Sequence, residues 1–586
     1  MKFEAEIIKE IVDSRGHTKT SIHYQSECVE EWVKEVEGAY PKLCDYQPEW
    51  LNYSAENKVG VFPYATLTDV TSATVENVVP YAYKSAILKG QTLVNVDSCY
   101  TINDFKWSNI SNIDNDGFIT LNANGDFVNA FTGLKPLIKP NTKYLAIVDI
   151  KENTIDGELC LFGQHNGASI FSKQGVQVSS GTTGMLKYIL TSDSEFTSNT
   201  NIALRNYLNG SSTQGSIIYR TMLIEYIDGM ENWDIPFFRG MQSVKLPVLT
   251  TIGKNLFKDG DVQKGRLECL AGRHFNDSFV QNMETRAFSQ LIKVIPNQTI
   301  TISTQSTNQR FAIYLWDINK CFLVEPSGGW CTTNRTITIP SNVHYMNLYL
   351  SKTDGTNIDI EELKNSYQVE EGSSVTTYEP HKTNILTTPS DLELRGIDAV
   401  RDELNCLTAQ VTQRIGEVVL DGSSDEGIDM VNVDDATLVR FNVFNVAEIK
   451  TGNKSKMLCR SLPYVFIHGL NGGASTVSQE CISNHSRDTN MINIIIKRDK
   501  LSSVSVTGFR TYLQTNPLTI QYQLATESVK TVDLSVVDQD GNEREQIKPI
   551  EGTMHLSTSG ETIKPLFSGE IPVEAITQNL ASFIEE

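Results

Sequence analysis

TITISTQSTNQRFAIYLW, residues 299–316, carries the pattern on which the fold reading turns. In TITIS (299–303) and FAIYLW (311–316) apolar side chains recur at every second position, the period of a strand with one face in a core. The alternation returns in TITIP (336–340), MNLYL (346–350) and FNVFNV (441–446), and MINIIIK (491–497) reads as an apolar strand. Gly, Asn and Asp clusters break these runs at NDG (115–117), NANG (122–125), DGT (354–356) and DQDG (538–541). Short strands punctuated in this way predict a mainly β chain of antiparallel, jelly-roll-like sandwiches.

A divergent internal repeat places the modules. MLIEYIDGMENWDIP (222–236) and SYQVEEGSSVTTYEP (366–380) share an alternating strand, an acidic turn with Gly229 or Gly372, and a closing Pro236 or Pro380. QYQLATESV (521–529) matches the start of the second copy. The expected division is a mixed N-terminal domain at 1–96, β-sandwiches in series at 97–250, 251–387 and 419–530, a connector at 388–418, and a C-terminal hairpin and helix at 531–586.

Two segments depart from the β pattern. In SDLELRGIDAVRDELNCLTAQVTQRI (390–415), Ser390 and Glu393 form a capping-box pattern. Ile397, Val400, Leu404, Leu407 and Val411 follow at 3-4-3-4 spacing, the seam of two heptads. The spacing predicts a helix, either packed on its own sandwich or forming the seam of a short symmetric bundle. Near the C-terminus, Val573, Ile576, Leu580 and Phe583 or Ile584 make one apolar stripe, so an amphipathic helix is expected there. A further helix is expected near 26–37, among the aromatics Trp32, Tyr40, Tyr46, Trp50 and Tyr53.

Composition narrows the function. Fifty Lys and Arg against 71 Asp and Glu give a formal charge of −21 over 586 residues, which disfavours a general nucleic-acid or anionic-membrane binder. The length suggests about four domains. The first ten residues, MKFEAEIIKE, hold no apolar signal core, and no apolar run reaches membrane-spanning length. The expected site of synthesis is a cytoplasm. The ten cysteines are scattered without a C-x-x-C, and buried free thiols are expected.

Catalytic signatures are absent: there is no G-x-S-x-G, H-E-x-x-H, Walker A or G-x-G-x-x-G. His468–Gly473 (HGLNGG) reads as a turn after a strand. Asn112, Asp114, Asp116 and Gly117 resemble a calcium loop, but Ala123 stands where a bidentate Glu is needed. That loop and Asp538–Asn542 read as hairpin turns; no cofactor is expected, and a weak structural Ca²⁺ in either loop stays open. A non-enzymatic role follows. Tyr314 and Trp316 share one strand face, Asp317 begins the next turn, and Trp330 follows Gly328–Gly329. Aromatic faces beside polar groups suit the apolar C–H faces of sugars, so Tyr314, Trp316, Asp317 and Trp330 are the candidate carbohydrate site, with core packing as the competing account.

Several strings resemble tail and baseplate proteins from phages and prophages of Gram-positive bacteria. They are TPSDLELRGIDAVRDELNCLTAQVTQRIGEVVLDGSS (388–424), VPYAYKSAILKGQTLVNV (79–96), KNLFKDGD (254–261) with YQVEEGSSVTTYEPHKTN (367–384), and EGTMHLSTSGETIKPLFSGEIP (551–572). The resemblance implies a virion protein of the tail, baseplate or fibre. It also implies carbohydrate-module-like sandwiches, a homo-oligomer of trimeric type, contacts with other tail proteins, and host attachment through cell-wall polysaccharide or teichoic acid. Residues 1–96 would then dock the protein onto the particle. A purely architectural platform is the alternative, and a cell-wall hydrolase a third.

Overall fold

A computed structural model describes residues 64–573, except 98–104, 109, 124–126, 133–137, 166–167, 172–174, 195–201, 210–213, 234, 278–279, 319, 327, 424–426, 434, 445, 447–448, 452–454, 466–479 and 485–489, together with the backbone of 5–7 and 22–24. The N-terminal aromatics and expected helix, HGLNGG and the C-terminal helix lie outside the described residues.

Antiparallel strands dominate, as the alternation predicts. The molecule is organised around a hub assembled from five separate stretches of chain. One hub sheet runs Ser72–Val78, Gly552–Ser559, Val248–Gly253, Thr383–Thr387, Ser535–Asp538, Glu543–Arg544. The other runs Tyr64–Val70, Leu566–Pro572, Ser85–Lys89, Glu403–Asn405, Gln410–Leu420, Leu518–Thr531, Met457–Cys459. Alternate residues of both sheets form one core: Val75, Leu249, Leu386, Val536, Met554 and Leu556 from the first, and Ala86, Leu88, Leu404, Val411, Phe567 and Ile571 from the second. Each is apolar on one side only, so the two faces must meet to leave water.

Three modules are inserted into this hub. The first, between Thr92–Val94 and Met241–Lys245, is a pair of sheets over 105–225. Its strand Lys143–Asn153 is buried almost continuously because both faces are covered. Val148 and Ile150 face the module's own core, while Leu145 and Ile147 join the hub core with Met222, Ile224 and Trp233. The second module lies between Val248–Gly253 and Thr383–Thr387. The third lies between Gln410–Leu420 and Leu518–Thr531, and its core includes Phe441 stacked on Phe509 at 4.0 Å. Strand Leu518–Thr531 spans 14 residues; its first part sits in the third module's core and its second part pairs in the hub.

The first two modules close with one device, in a register two residues away from the one that sets Pro236 against Pro380 in the sequence repeat. Asn255 is buried; its Oδ1 accepts from Phe257 N and Val369 N, each at 3.0 Å, and its Nδ2 donates to Tyr367 O and Glu379 O. Asn95 does the same in the first module, accepting from Asp97 N and Leu223 N and donating to Phe238 O. Each asparagine ties the lead-in of a module to its closing strand while satisfying polar groups that burial would otherwise orphan. The shared geometry matches Leu223 with Val369.

The 388–418 segment is a correction: no helix forms there. Ile397 and Val400 are partners in a tight hairpin, Gly396–Ile397 with Val400–Arg401. Leu404 and Val411 are partners in the next hairpin, with Leu407 in its turn. Asp398 and Ala409 take left-handed backbone, at φ 52° and 54°. Gly396 lies where a Cβ would meet Gly90 O at 2.5 Å. The buried Asp402 carboxylate accepts from Arg395 N, Arg414 N and Ile415 N, which ties the base of the first hairpin to the bulge in strand Gln410–Leu420. Ile397, Leu404 and Val411 are therefore buried inside one chain and cannot form an oligomer seam. The division at 388–418 and 531–586 is revised likewise, since both stretches supply hub strands.

Among the described residues the one α-helix is Val506–Thr515. Ser505 caps it by accepting from Gly508 N at 3.1 Å, and Phe509 and Leu513, four apart, face the core.

A candidate saccharide-binding face on the second module

The second module stacks a three-stranded sheet, Arg335–Thr338, Thr299–Thr304, Tyr367–Glu371, on a larger one. The larger sheet includes Val262–Lys264, Ala287–Ser289, Tyr345–Lys352, Gln309–Trp316 and Phe322–Val324. Strand alternation sends Phe311, Ile313 and Leu315, with Met346, Leu348 and Leu350, into the core between the sheets. The opposite face necessarily presents Arg310, Ala312, Tyr314 and Trp316 beside Tyr345, Asn347, Tyr349 and Ser351. Register sets Ala312 opposite Tyr349 and Trp316 opposite Tyr345.

This outer face divides in two. At one end Trp316 is fully buried; its Nε1 donates to Asn347 Oδ1 at 2.8 Å, and Phe275 and Phe322 meet it edge-on at 5.1 and 5.3 Å. Trp316 is thus a packing residue, not a sugar platform, which corrects its assignment. Asp317 Oδ1 accepts from Cys321 N at 2.8 Å and shapes the turn. At the other end Tyr314 stacks on Tyr349 at 5.6 Å with an interplanar angle of 18°, and Trp330 stacks on Tyr349 at 5.2 Å and 27°. Tyr314 and Trp330 are half-buried.

Trp330 reaches the face from the segment after Phe322–Val324. Gly328 and Gly329 turn at φ 65° and 114°, backbone that side chains strain to adopt. Gly329 N donates to Glu325 Oε1 at 2.7 Å. Cys331 then exchanges two backbone hydrogen bonds with Phe311, pinning the segment along the sheet edge. The ring is held from both sides of the sequence.

Arginines complete the face. The guanidinium carbons of Arg286 and Arg310 lie 4.8 and 4.7 Å from the Trp330 ring, a cation–π geometry. Arg286 also donates to Ser351 Oγ, and Arg310 Nε is buried with no hydrogen-bond acceptor among the described residues. Burial raises the Tyr349 pKa, against the opposing charges of Arg286 and Arg266. Burial likewise raises that of Tyr314, reinforced by Cys269, Tyr349 and Glu325 and opposed by Arg266. Both phenols stay neutral hydrogen-bonding groups at pH 7. The Cys269 thiol, pushed up to about 12 by burial, is not a nucleophile.

Sequence reasoning found Tyr314 and Trp330 and missed Tyr349, Arg266, Arg286 and Arg310. The signal for Tyr349 was present in MNLYL, where Tyr349 alternates out of phase with Leu348 and Leu350.

Other features are weaker candidates. A cavity of about 230 Å³ lies between hub and first module, lined by Thr92, Tyr144, Ile224, Ile397 and others. Its charged groups are already engaged: Lys139 pairs with Glu225, Asp398 with Lys456, and Arg401 donates to Gly90 O. Asp114 and Asp538 spend their carboxylates on turn N–H groups and on Lys151 or Arg544. Among the described residues no cluster of His, Cys, Asp or Glu could hold a metal, and no helix is long and apolar enough to cross a membrane.

No family model matches the chain, and no curated protein matches it. Among solved structures, the N-terminal CBM22-1–CBM22-2 tandem domain of Paenibacillus barcinonensis Xyn10C is similar at 10% identity, covering 53% of this chain and 97% of that chain, with a TM-score of 0.16. So low a score has no bearing on the fold, which stands on the strand pairing itself.

Proposed function

We propose that this chain is a non-catalytic virion protein of a phage tail, baseplate or fibre, and that it attaches to the host surface by binding carbohydrate on the second module. The observation that carries the binding reading is the Tyr314–Tyr349–Trp330 stack on a sheet face, with Tyr349 buried and Tyr314 and Trp330 partly exposed, held by strand register and by the backbone pairing of Cys331 with Phe311. A prebuilt aromatic platform takes a sugar ring with little ordering cost. The phage assignment rests on the quoted strings. Those at 79–96, 388–424 and 551–572 all supply strands to the hub, so three scattered resemblances converge on one structural unit.

The trimer and contacts with other tail proteins rest on that resemblance, without the heptad seam. Several copies would add weak sites into avidity. The platform reading is favoured by one observation: the first module shares the hub core through Leu145, Ile147, Met222 and Ile224, which makes a stiff joint. The test is retention of the full chain on isolated Gram-positive cell walls, comparing the native protein with Trp330→Ala. Retention lost in the variant, with its melting unchanged, supports the binding reading. Equal retention moves the binding off this face, and no retention moves the role to the platform.

A further inference from the structure

The carbohydrate reading leaves the charge of the ligand open, and the chain's overall charge of −21 argues for a neutral one. The second module's outer face points the other way. The module's ion pairs to carboxylates are made by other cations: Lys254 with Glu379, Lys258 with Asp261, Lys264 with Glu284, Lys352 with Glu362, Lys364 with Glu361. Arg266, Arg286 and Arg310 take no part in these pairs, although Arg286 and Arg310 are half-buried against Trp330, and Arg266 is exposed on the short strand whose Leu267 packs in one cluster with Tyr314, Tyr349 and Trp330.

A half-desolvated guanidinium without a counter-charge is costly in a molecule with 71 carboxylates to choose from. Arg310 is the sharpest case, because its Nε has neither water access nor an acceptor among the described residues. Stacking on Trp330 orients the planar forks while leaving their remaining N–H groups free of carboxylate partners. Planar forks of this kind match carboxylate and phosphate oxygens. Glu325, the acid whose charge reaches Tyr314, is engaged by Gly329 N.

We propose that this face selects an anionic saccharide. A sugar ring lies against Tyr314 and Trp330, and its carboxylate or phosphodiester is held by Arg310 and Arg286 beside Trp330, with the exposed Arg266 adding a further charge contact. The inference rests on the proposed carbohydrate binding and specifies its ligand class. Uronate-containing and polyol-phosphate polymers present the same chemistry here. Repulsion from the acidic remainder of the surface is screened beyond about 8–10 Å at physiological salt, so a local cationic patch suffices.

The experiment measures binding of the full chain to poly(glycerol phosphate), polygalacturonate and a neutral β-glucan, at low and physiological salt, for native protein, Arg310→Gln, Arg266→Gln and Trp330→Ala. At least one anionic polymer should bind more tightly than the glucan and weaken with salt. Either arginine variant should lose roughly tenfold in affinity, the loss expected for one charge-assisted contact. Which anionic polymer binds more tightly distinguishes phosphate from carboxylate. Arg266 is exposed, so its variant also guards against a folding artefact at Arg310. Glucan bound as tightly, through Trp330 and without either arginine, overturns the anionic ligand and keeps carbohydrate binding. Absence of Trp330-dependent binding to any polymer overturns both.

Discussion

Replacing Leu404 with Ala separates the hub described above from a helical seam. Leu404 is fully buried, paired with Val411 on one side and Leu88 on the other, and packed in the hub core. The change deletes three carbons; at about 0.8 kcal/mol each the transfer loss is about 2.4 kcal/mol. A cavity that collapses only partly raises the cost to about 3–4 kcal/mol. The chain has several modules and will not unfold in one step, so the readout must be local. Hydrogen exchange of Ser85–Lys89, Gln410–Leu420 and Leu566–Pro572 should accelerate by about two orders of magnitude or more, as that free energy implies where exchange proceeds through hub opening. Val419→Ala, at a position 53% exposed on a neighbouring hub strand, should change exchange little. Light scattering should give the same mass for native and variant protein. Unchanged hub exchange together with a fall in mass would refute the strand pairing and restore an oligomer seam.

Other perturbations follow from the same packing. Asn255→Ala leaves Phe257 N, Val369 N, Tyr367 O and Glu379 O without this partner and should destabilise the second module by about 3 kcal/mol or more in denaturant titration. Gly508→Ala normally favours a helix interior by about 1 kcal/mol, but here the new Cβ meets Ser503 O at 1.9 Å, so thermal unfolding of the third module should occur at lower temperature. His381 donates from Nδ1 to Asn255 O at 2.7 Å, and burial lowers its pKa, with the Lys258 charge adding to this and the Asn255 bond and Asp261 and Asp259 opposing it. A lowered histidine pKa means that the unfolded chain binds the proton better. Its stabilising contribution is therefore complete above about pH 6.5 and is lost as pH falls through the folded value. Melting of the second module should fall between pH 7.5 and 5 in native protein and fall less in His381→Gln; equal slopes would exclude this residue.

Particular residues show what the sequence could and could not disclose. FAIYLW and MNLYL were legible because only one sheet face enters the inter-sheet core, and alternation records that directly. The 390–415 segment misled because Ile397, Leu404 and Val411 are seven apart, a spacing that a heptad and a pair of hairpins can share. Gly396 and Asp398 were the available warnings, since each favours a turn. The helix at Val506–Thr515 was hidden by Gly508 and by β-branched Val506, Thr507 and Thr511, all poor helix formers. The hub could not be read at all, because pairs such as Ala65 with Ile571 and Val75 with Met554 join opposite ends of the chain. At the candidate site, Tyr314 and Trp316 share a face in sequence, but Phe275, from the short 3-10 helix Phe275–Asp277 earlier in the chain, packs edge-on against Trp316 and helps to bury it fully. Arg286 directly precedes strand Ala287–Ser289 and Arg310 lies on Gln309–Trp316, and only the sheet brings the two to Trp330.

The most direct test of a saccharide on the Tyr314–Tyr349–Trp330 face is hydroxyl-radical footprinting of the full chain with and without a fragmented Gram-positive cell-wall polysaccharide. Ligand should protect Trp330 and Tyr314 from oxidation and leave Trp316 equally unreactive in both samples, since that ring is already buried. Protection confined to other parts of the molecule, with Trp330 as reactive as before, would contradict the account.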